Sequence, residues 1–161
     1  MTEIKSGGAR AVADLVDGLI LATVEIAASP ERVFQALTSK EICDWWVRPG
    51  VFDTREWTGD VRVGGRWRAS GMGNGRPYVL EGEFLEVDPP RKLVHTWHGV
   101  GAPGVPTTVT YLLESLDGGT RVTLRHSGIV APEMGTNICI GWETSFERLA
   151  EFLAGERVPR A

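Results

Sequence analysis

The spacing of apolar positions changes twice along this chain. Residues 19–27 alternate apolar and polar side chains, as a half-buried strand does. Residues 11–16 are a second, weaker arm, and Asp17-Gly18 between the two is a hairpin signal. Residues 1–10 carry Gly7-Gly8 and little pattern, so a loose terminus is expected there. Next comes a short helical pattern, Val33, Phe34 and Leu37, with Ser29 placed to cap it and Pro30 at its first position. Ser39 can cap a second helix running through Ile42 to Trp45-Trp46, ended before Pro49-Gly50.

From about residue 51 the period is two, with strands expected near 51–57, 60–70, 77–87, 92–98, 106–115 and 120–127. Turn residues separate them: the glycine-rich run 71–75, Asp88-Pro89-Pro90, the stretch 99–106, and Asp117-Gly118-Gly119. Strands joined so tightly pair antiparallel, which gives a meander whose first strand is free to close one edge. Within 57–90, aromatic rings sit beside glycines, the composition of a sheet that bends and encloses space. The period then lengthens again. Ile138, Trp142, Ser145 or Phe146, Leu149, and Phe152 or Leu153 form one helical stripe, predicting a helix over 134–153 of roughly 30 Å. With no other long helix to pair with, that stripe packs on the sheet. The expected fold is α+β, a curved antiparallel sheet around one long C-terminal helix with two short helices near one end. It forms one domain over residues 11–155, with 156–161 as a tail.

Composition narrows the function classes without choosing one. The chain has 161 residues, 42% hydrophobic and 24% charged, and 17 basic against 21 acidic residues leave a net charge of −4. That balance excludes a phosphate-backbone binder, and no nucleic-acid partner is expected. Asp14, Asp17 and Glu25 interrupt the apolar stretch 11–28, so no membrane span or signal segment is expected there, and a cytoplasmic protein is the expectation. The two cysteines, Cys43 and Cys139, have no metal or disulfide spacing. No phosphate loop, dinucleotide fingerprint or nucleophile elbow occurs, and no cofactor or metal is expected.

Strand parity assigns candidate inner rows: Leu93/His95/Trp97, Val109/Tyr111/Leu113 and Val122/Leu124/His126, with Trp67 facing opposite to Arg66 and Arg68. Rings with sparse polar tips are the lining of a small-molecule pocket, with the filling of a solid core as the alternative. Glu81 and Glu83 share a face. Glu83 either faces the concavity or pairs with Arg66 and Arg68 on the outside. His95 and His98 face opposite ways and cannot share a metal, while His126 is a structural histidine or an acid/base group at a strand end. Of Trp45 and Trp46, one ring should face the pocket mouth and the other should pack on residues 51–57. The candidate lining is therefore Trp46, Trp67, Glu83, His95, Trp97, Val109, Tyr111, Leu124, His126 and Trp142.

Residues 24–38, Trp45-Trp46, Gly64-Gly65-Arg66-Trp67, 82–90, 93–97, Gly118-Gly119-Thr120, Leu124-Arg125-His126 and Gly141-Trp142 resemble the heat-shock ATPase activator (Aha-type) group of the START-like, or SRPBCC, superfamily. The resemblance spans about residues 19–153. It implies the helix-grip fold, shared with the birch-pollen-allergen group and polyketide cyclases, and carries no fixed catalytic residues. It points to a small hydrophobic or aromatic ligand held between sheet and helix. The alternatives are a cyclase-like enzyme moving a proton with His126, Glu83 or Tyr111, and a protein-interaction role. The co-chaperone of this group carries an added N-terminal domain, whereas about 18 residues precede the secure first strand here. A strand edge or the 99–106 loop could support a homodimer.

Overall fold

The computed structural model describes residues 7–14, 16–101, 104–130 and 132–154. The remainder of the expected loose terminus, the 156–161 tail and part of the 99–106 loop lie outside the described residues. Eight strands form one antiparallel sheet: β1 (Gly7–Asp14), β2 (Leu19–Ile26), β3 (Phe52–Gly59), β4 (Arg66–Gly73), β5 (Arg76–Asp88), β6 (Lys92–Gly99), β7 (Thr107–Leu116) and β8 (Gly119–Ser127). Their order is β1-β2-β8-β7-β6-β5-β4-β3. The six later strands are the expected meander, and β2 closes against β8, with β1 outside it. The helices are α1 (Pro30–Leu37), α2 (Ile42–Trp45) and α3 (Pro132–Ala154). This is the helix-grip fold. No helix among the described residues is long and apolar enough to cross a membrane.

Local chemistry accounts for the elements and for the departures from expectation. Ser29 Oγ accepts from the Arg32 amide and Pro30 opens α1, as read from the sequence. Ser39 does not cap α2; its hydroxyl accepts from the Glu41 amide in the preceding turn, and α2 is only four residues long. The strand expected at 60–70 begins at Arg66. Asp60 and Arg66 close a tight turn through the Asp60 N–H to Arg66 carbonyl bond, and Gly64-Gly65 belong to it. At the far end β4 runs on to Gly73, because the reversal needs only Asn74-Gly75, both with positive φ (51° and 78°). Two such residues are the compact hairpin turn whose twist matches the strands. β1 starts at Gly7 rather than residue 11 and ends at Asp14, whose carboxylate accepts the amides of Val16 and Asp17. Its early residues are ordered by α3: Glu147 accepts the Ala9 amide and Glu143 the Ala11 amide, each at 2.9 Å. Two donors of this edge strand are therefore already taken.

The core lies between sheet and α3. Leu93, Val109, Val122, Leu124 and Ile26 from the strands are fully buried, and so are Trp142, Phe146, Leu149 and Leu153 from the helix. The apolar stripe falls where the sequence put it, except that both Ser145 and Phe146 are inside. Ser145 Oγ is buried without a hydrogen-bond partner. Ser145→Ala removes that unmet hydroxyl and improves helix propensity, so unfolding free energy should rise by about 1 kcal/mol in urea titrations. A fall would mean that the hydroxyl does have a partner.

Candidate functional site

The concave face is not hollow throughout. α3 lies over β1 and β2, where a separate, more polar opening of about 610 Å³ is bordered by Gly7, Arg10, Thr23, Glu25, Arg121 and Glu147. The ring-lined space sits toward the β3–β6 half, in two parts. An inner chamber of about 40 Å³ is walled by Leu37, Ile42, Trp45, Trp57, Trp67, Ala69, Phe84, His95, Tyr111 and Trp142. Beside it a vestibule of about 440 Å³ is lined by Arg48, Val51, Phe52, Gly73, Asn74, Tyr78, Asn137, Ile138 and Gly141. Trp46, Leu80 and Trp97 line both, so the two spaces meet at these side chains.

Six of the ten expected lining residues are here: Trp46, Trp67, His95, Trp97, Tyr111 and Trp142. Four are not. Val109 and Leu124 lie on the inner face but are fully buried in the solid part of the core. Glu83 is on the outer face, beside Arg66 in the sheet register and in a 3.9 Å ion pair with it. Its neighbours Gly82 and Phe84 are the buried members of β5. His126 is inside but lies behind the chamber wall.

The bonds of His126 define its role. Trp142 Nε1–H donates to its Nδ1 at 3.1 Å, and an indole can only donate. The proton of His126 is therefore on Nε2, which donates to Thr107 Oγ1 at 2.7 Å, and Thr107 in turn donates to the Trp97 carbonyl at 2.9 Å. Every polar atom of the imidazole is committed. Burial, helped by nearby His95, pushes its pKa down to about 3. His126 is a neutral brace that holds the Trp142 indole and, through Thr107, the Trp97 main chain, with the Trp97 ring edge-on to it at 5.1 Å, rather than an acid or base.

His95 faces the chamber amid the rings of Trp67, Phe84 and Tyr111, at centroid distances of 5.1, 6.0 and 5.9 Å. Its Nδ1–H donates to the Thr96 carbonyl at 2.8 Å, and burial holds its pKa down at about 4. Burial also pushes the Tyr111 phenol well above its ordinary range. Both groups are neutral over the physiological pH range. Trp67 lies flat against β5 because residue 82 is glycine: a Cβ there would meet the Thr96 carbonyl oxygen at 1.9 Å and Trp67 Nε1 at 2.4 Å. That gap lets the Trp67 indole N–H reach the Thr96 carbonyl at 3.1 Å.

The tryptophan pair divides differently from expectation. Trp45 is buried, its indole N–H donating to the Ala36 carbonyl, while Trp46 alone stands at the mouth and also packs on Phe52. Trp46 meets Trp142 edge-on at 4.4 Å. Sequence reading missed Phe84 and Leu80, although positions 80, 82 and 84 share a face and are all apolar, which also turns Glu81 and Glu83 outward. Gly141 was passed over as well, one residue before Trp142 and three after Ile138 on the helical stripe. The thiols of Cys43 and Cys139 are half-buried, and burial raises both. Among the described residues no cluster of side chains could hold a metal ion.

Comparison with solved structures finds the same fold in several bacterial proteins. A Chromobacterium violaceum protein is 26% identical with a TM-score of 0.73, over 84% of this chain and 96% of that one. A Mycobacterium smegmatis protein is 22% identical, with a TM-score of 0.75 over 89% and 94%, a likeness of fold alone. CalU16 from Micromonospora echinospora is 25% identical, with a TM-score of 0.61 over 88% and 77%. A sequence search of curated proteins gives no match. The sequence model of one family matches residues 27–154, from the end of β2 through α3, and the chain therefore belongs to the family described as Activator of Hsp90 ATPase homolog 1-like protein.

Proposed function

We propose that this domain binds a small hydrophobic or aromatic molecule in the vestibule between α3 and the β3–β6 half of the sheet. The observation that carries the reading is the vestibule itself: about 440 Å³, with the rings of Trp46, Phe52, Tyr78 and Trp97 around it. That volume lies in the range of small-molecule sites, and rings with few polar groups suit an apolar ligand. Its polar members, Arg48, Asn74 and Asn137, leave the aromatic surface to the ligand's body. A proton-transfer role has less support. Of the groups considered for it, His126 is fully committed to hydrogen bonds, Glu83 is outside, and Tyr111 holds its proton tightly.

Gly141 provides the test. It lies in α3 on the vestibule wall, and a Cβ there would meet only Phe52, at an ordinary 3.7 Å. Leucine is a far better helix former than glycine, so Gly141→Leu should fold while filling the space. In wild-type protein, apolar arenes such as 2-methylnaphthalene should quench or shift tryptophan emission and raise the melting temperature. Gly141→Leu should lose both responses. Saturable binding unaffected by this change would place the ligand elsewhere, and the absence of any arene response in wild-type protein would remove the reading.

A further inference from the structure

The inner chamber is almost entirely apolar, yet polar atoms of Tyr111 and His95 in its wall lack partners within the protein. Tyr111 is 4% exposed and its hydroxyl makes no hydrogen bond within the protein; His95 is 8% exposed and only its Nδ1 is bonded. A carbonyl can only accept, so the His95 proton sits on Nδ1 and Nε2 presents a lone pair. Among the described residues, the buried, unpartnered side-chain atoms cut off from open space are Ser145 Oγ and Arg148 Nε, not these two. Tyr111 Oη and His95 Nε2 therefore touch free volume, and the free volume their residues line is the chamber. Three of the indole N–H groups in the wall are committed elsewhere, Trp45 Nε1 to Ala36, Trp67 Nε1 to Thr96 and Trp142 Nε1 to His126, whereas those of Trp46, Trp57 and Trp97 make no hydrogen bond within the protein. Tyr111 thus offers the chamber a neutral donor, and His95 a neutral acceptor.

We propose that this chamber is a hydroxyl pocket, receiving the O–H of an uncharged hydroxyarene whose ring lies in the adjoining vestibule. The ligand's O–H donates to His95 Nε2 and its oxygen accepts from the Tyr111 hydroxyl. This rests on the binding function proposed above and specifies its ligand. A chamber of about 40 Å³ accommodates a water-sized group and excludes an aromatic ring, so the ring stays in the vestibule and its hydroxyl enters where Trp46, Leu80 and Trp97 border both spaces. A carbonyl oxygen could only accept, and it would face the His95 lone pair. A carboxylate or ammonium would lose its hydration with no opposite charge in the chamber wall, which is costly. A hydroxyl alone among these satisfies both atoms, and a site built to bond a hydroxyl disfavours a ligand without one because its buried polar groups stay unpaired.

The test compares 2-naphthol with its near-isostere 2-methylnaphthalene by calorimetric titration of the full chain. Tyr111→Phe removes the donor with almost no change in shape. It should lower the naphthol-to-methylnaphthalene affinity ratio about tenfold, with methylnaphthalene binding within twofold of wild type; one hydrogen bond in a buried site has about this effect. In wild-type protein the His95 Nε2 nitrogen NMR signal should move on addition of 2-naphthol and stay still with 2-methylnaphthalene, a readout independent of whether the variant folds. Binding of both arenes with an unchanged ratio and a static His95 signal overturns the hydroxyl pocket while leaving apolar binding intact. Failure of both arenes to bind wild-type protein overturns both proposals.

Discussion

Trp142→Ala should be strongly destabilising, by about 3–5 kcal/mol, because it removes the residue on which helix, sheet and site converge. Trp142 is 1% exposed and packs edge-on against Trp46, Tyr111 and Phe146 at centroid distances of 4.4, 5.9 and 5.6 Å. Truncation leaves a cavity that these neighbours can only partly close. It also strips His126 Nδ1 of its donor, and a buried acceptor left unpaired adds about 1–3 kcal/mol to the cost. At roughly 2–4 °C per kcal/mol for a domain of this size, the melting temperature should fall by about 10 °C or more. Trp142→Phe separates the two causes. It keeps most of the packing but not the N–H, so its loss should approach the hydrogen-bond contribution alone. Urea unfolding of the three proteins measures both effects, and an alanine variant as stable as wild type would mean that α3 is not seated on the sheet.

The position of Trp142 was legible in the sequence, and the reason is geometric. A helical stripe and strand parity each fix which face a side chain presents, and both periods survive in this chain with little interruption. That sufficed for α3, for the meander of β3 to β8, and for the inward rows carrying His95, Tyr111 and His126. Parity also placed Trp67 inside, and the same rule applied to Leu80, Gly82 and Phe84 turns Glu83 outward. Depth along the face is a different matter. Val109 and Leu124 share a face with Tyr111, yet both are fully buried in the core, while the ring-lined space opens toward β3–β6. Which part of a concave sheet a helix fills depends on its crossing direction, and no local period encodes that.

Turn chemistry was read less well because one glycine pattern serves two purposes. Gly64-Gly65 closes the turn between β3 and β4, whereas Gly71 lies within β4, where a Cβ would meet the Asp53 carbonyl oxygen at 1.9 Å. In the turn Gly64 supplies a positive φ of 84° and Gly65 lets the Asp60 carbonyl approach, whereas in the strand Gly71 permits close approach of a bulged neighbour strand. Hydrogen-bond networks were likewise beyond sequence reading. His126, on an inner face at a strand end, has the pattern of an acid/base residue, and only its three-residue chain through Trp142, Thr107 and Trp97 identifies it as a brace.

The same two buried imidazoles make stability depend on pH in a defined window. Burial holds the pKa of His95 at about 4 and that of His126 at about 3 in the folded protein, against about 6.5 in an unfolded chain. Above about pH 6.5 both states carry neutral imidazoles and the folded state has its full stability. Below it the unfolded chain takes up two protons that the folded protein refuses, so stability falls as pH drops toward the folded values. Each histidine contributes a slope of about 1.4 kcal/mol per pH unit in that interval. Between pH 7 and pH 5 the loss should be roughly 2 kcal/mol per histidine and about 4 kcal/mol in all, mostly clear of the region where carboxylates titrate. Replacing His126 with glutamine should lower stability at pH 7 and roughly halve the slope, since only His95 then remains to titrate. Urea unfolding at pH 7, 6 and 5 gives both slopes. Nitrogen NMR at pH 5 should still show neutral rings, protonated on Nδ1 in His95 and on Nε2 in His126. Imidazoles that charge near pH 6.5 in the folded protein, with a flat stability profile, would mean that water reaches both rings and that the chamber and its brace are open.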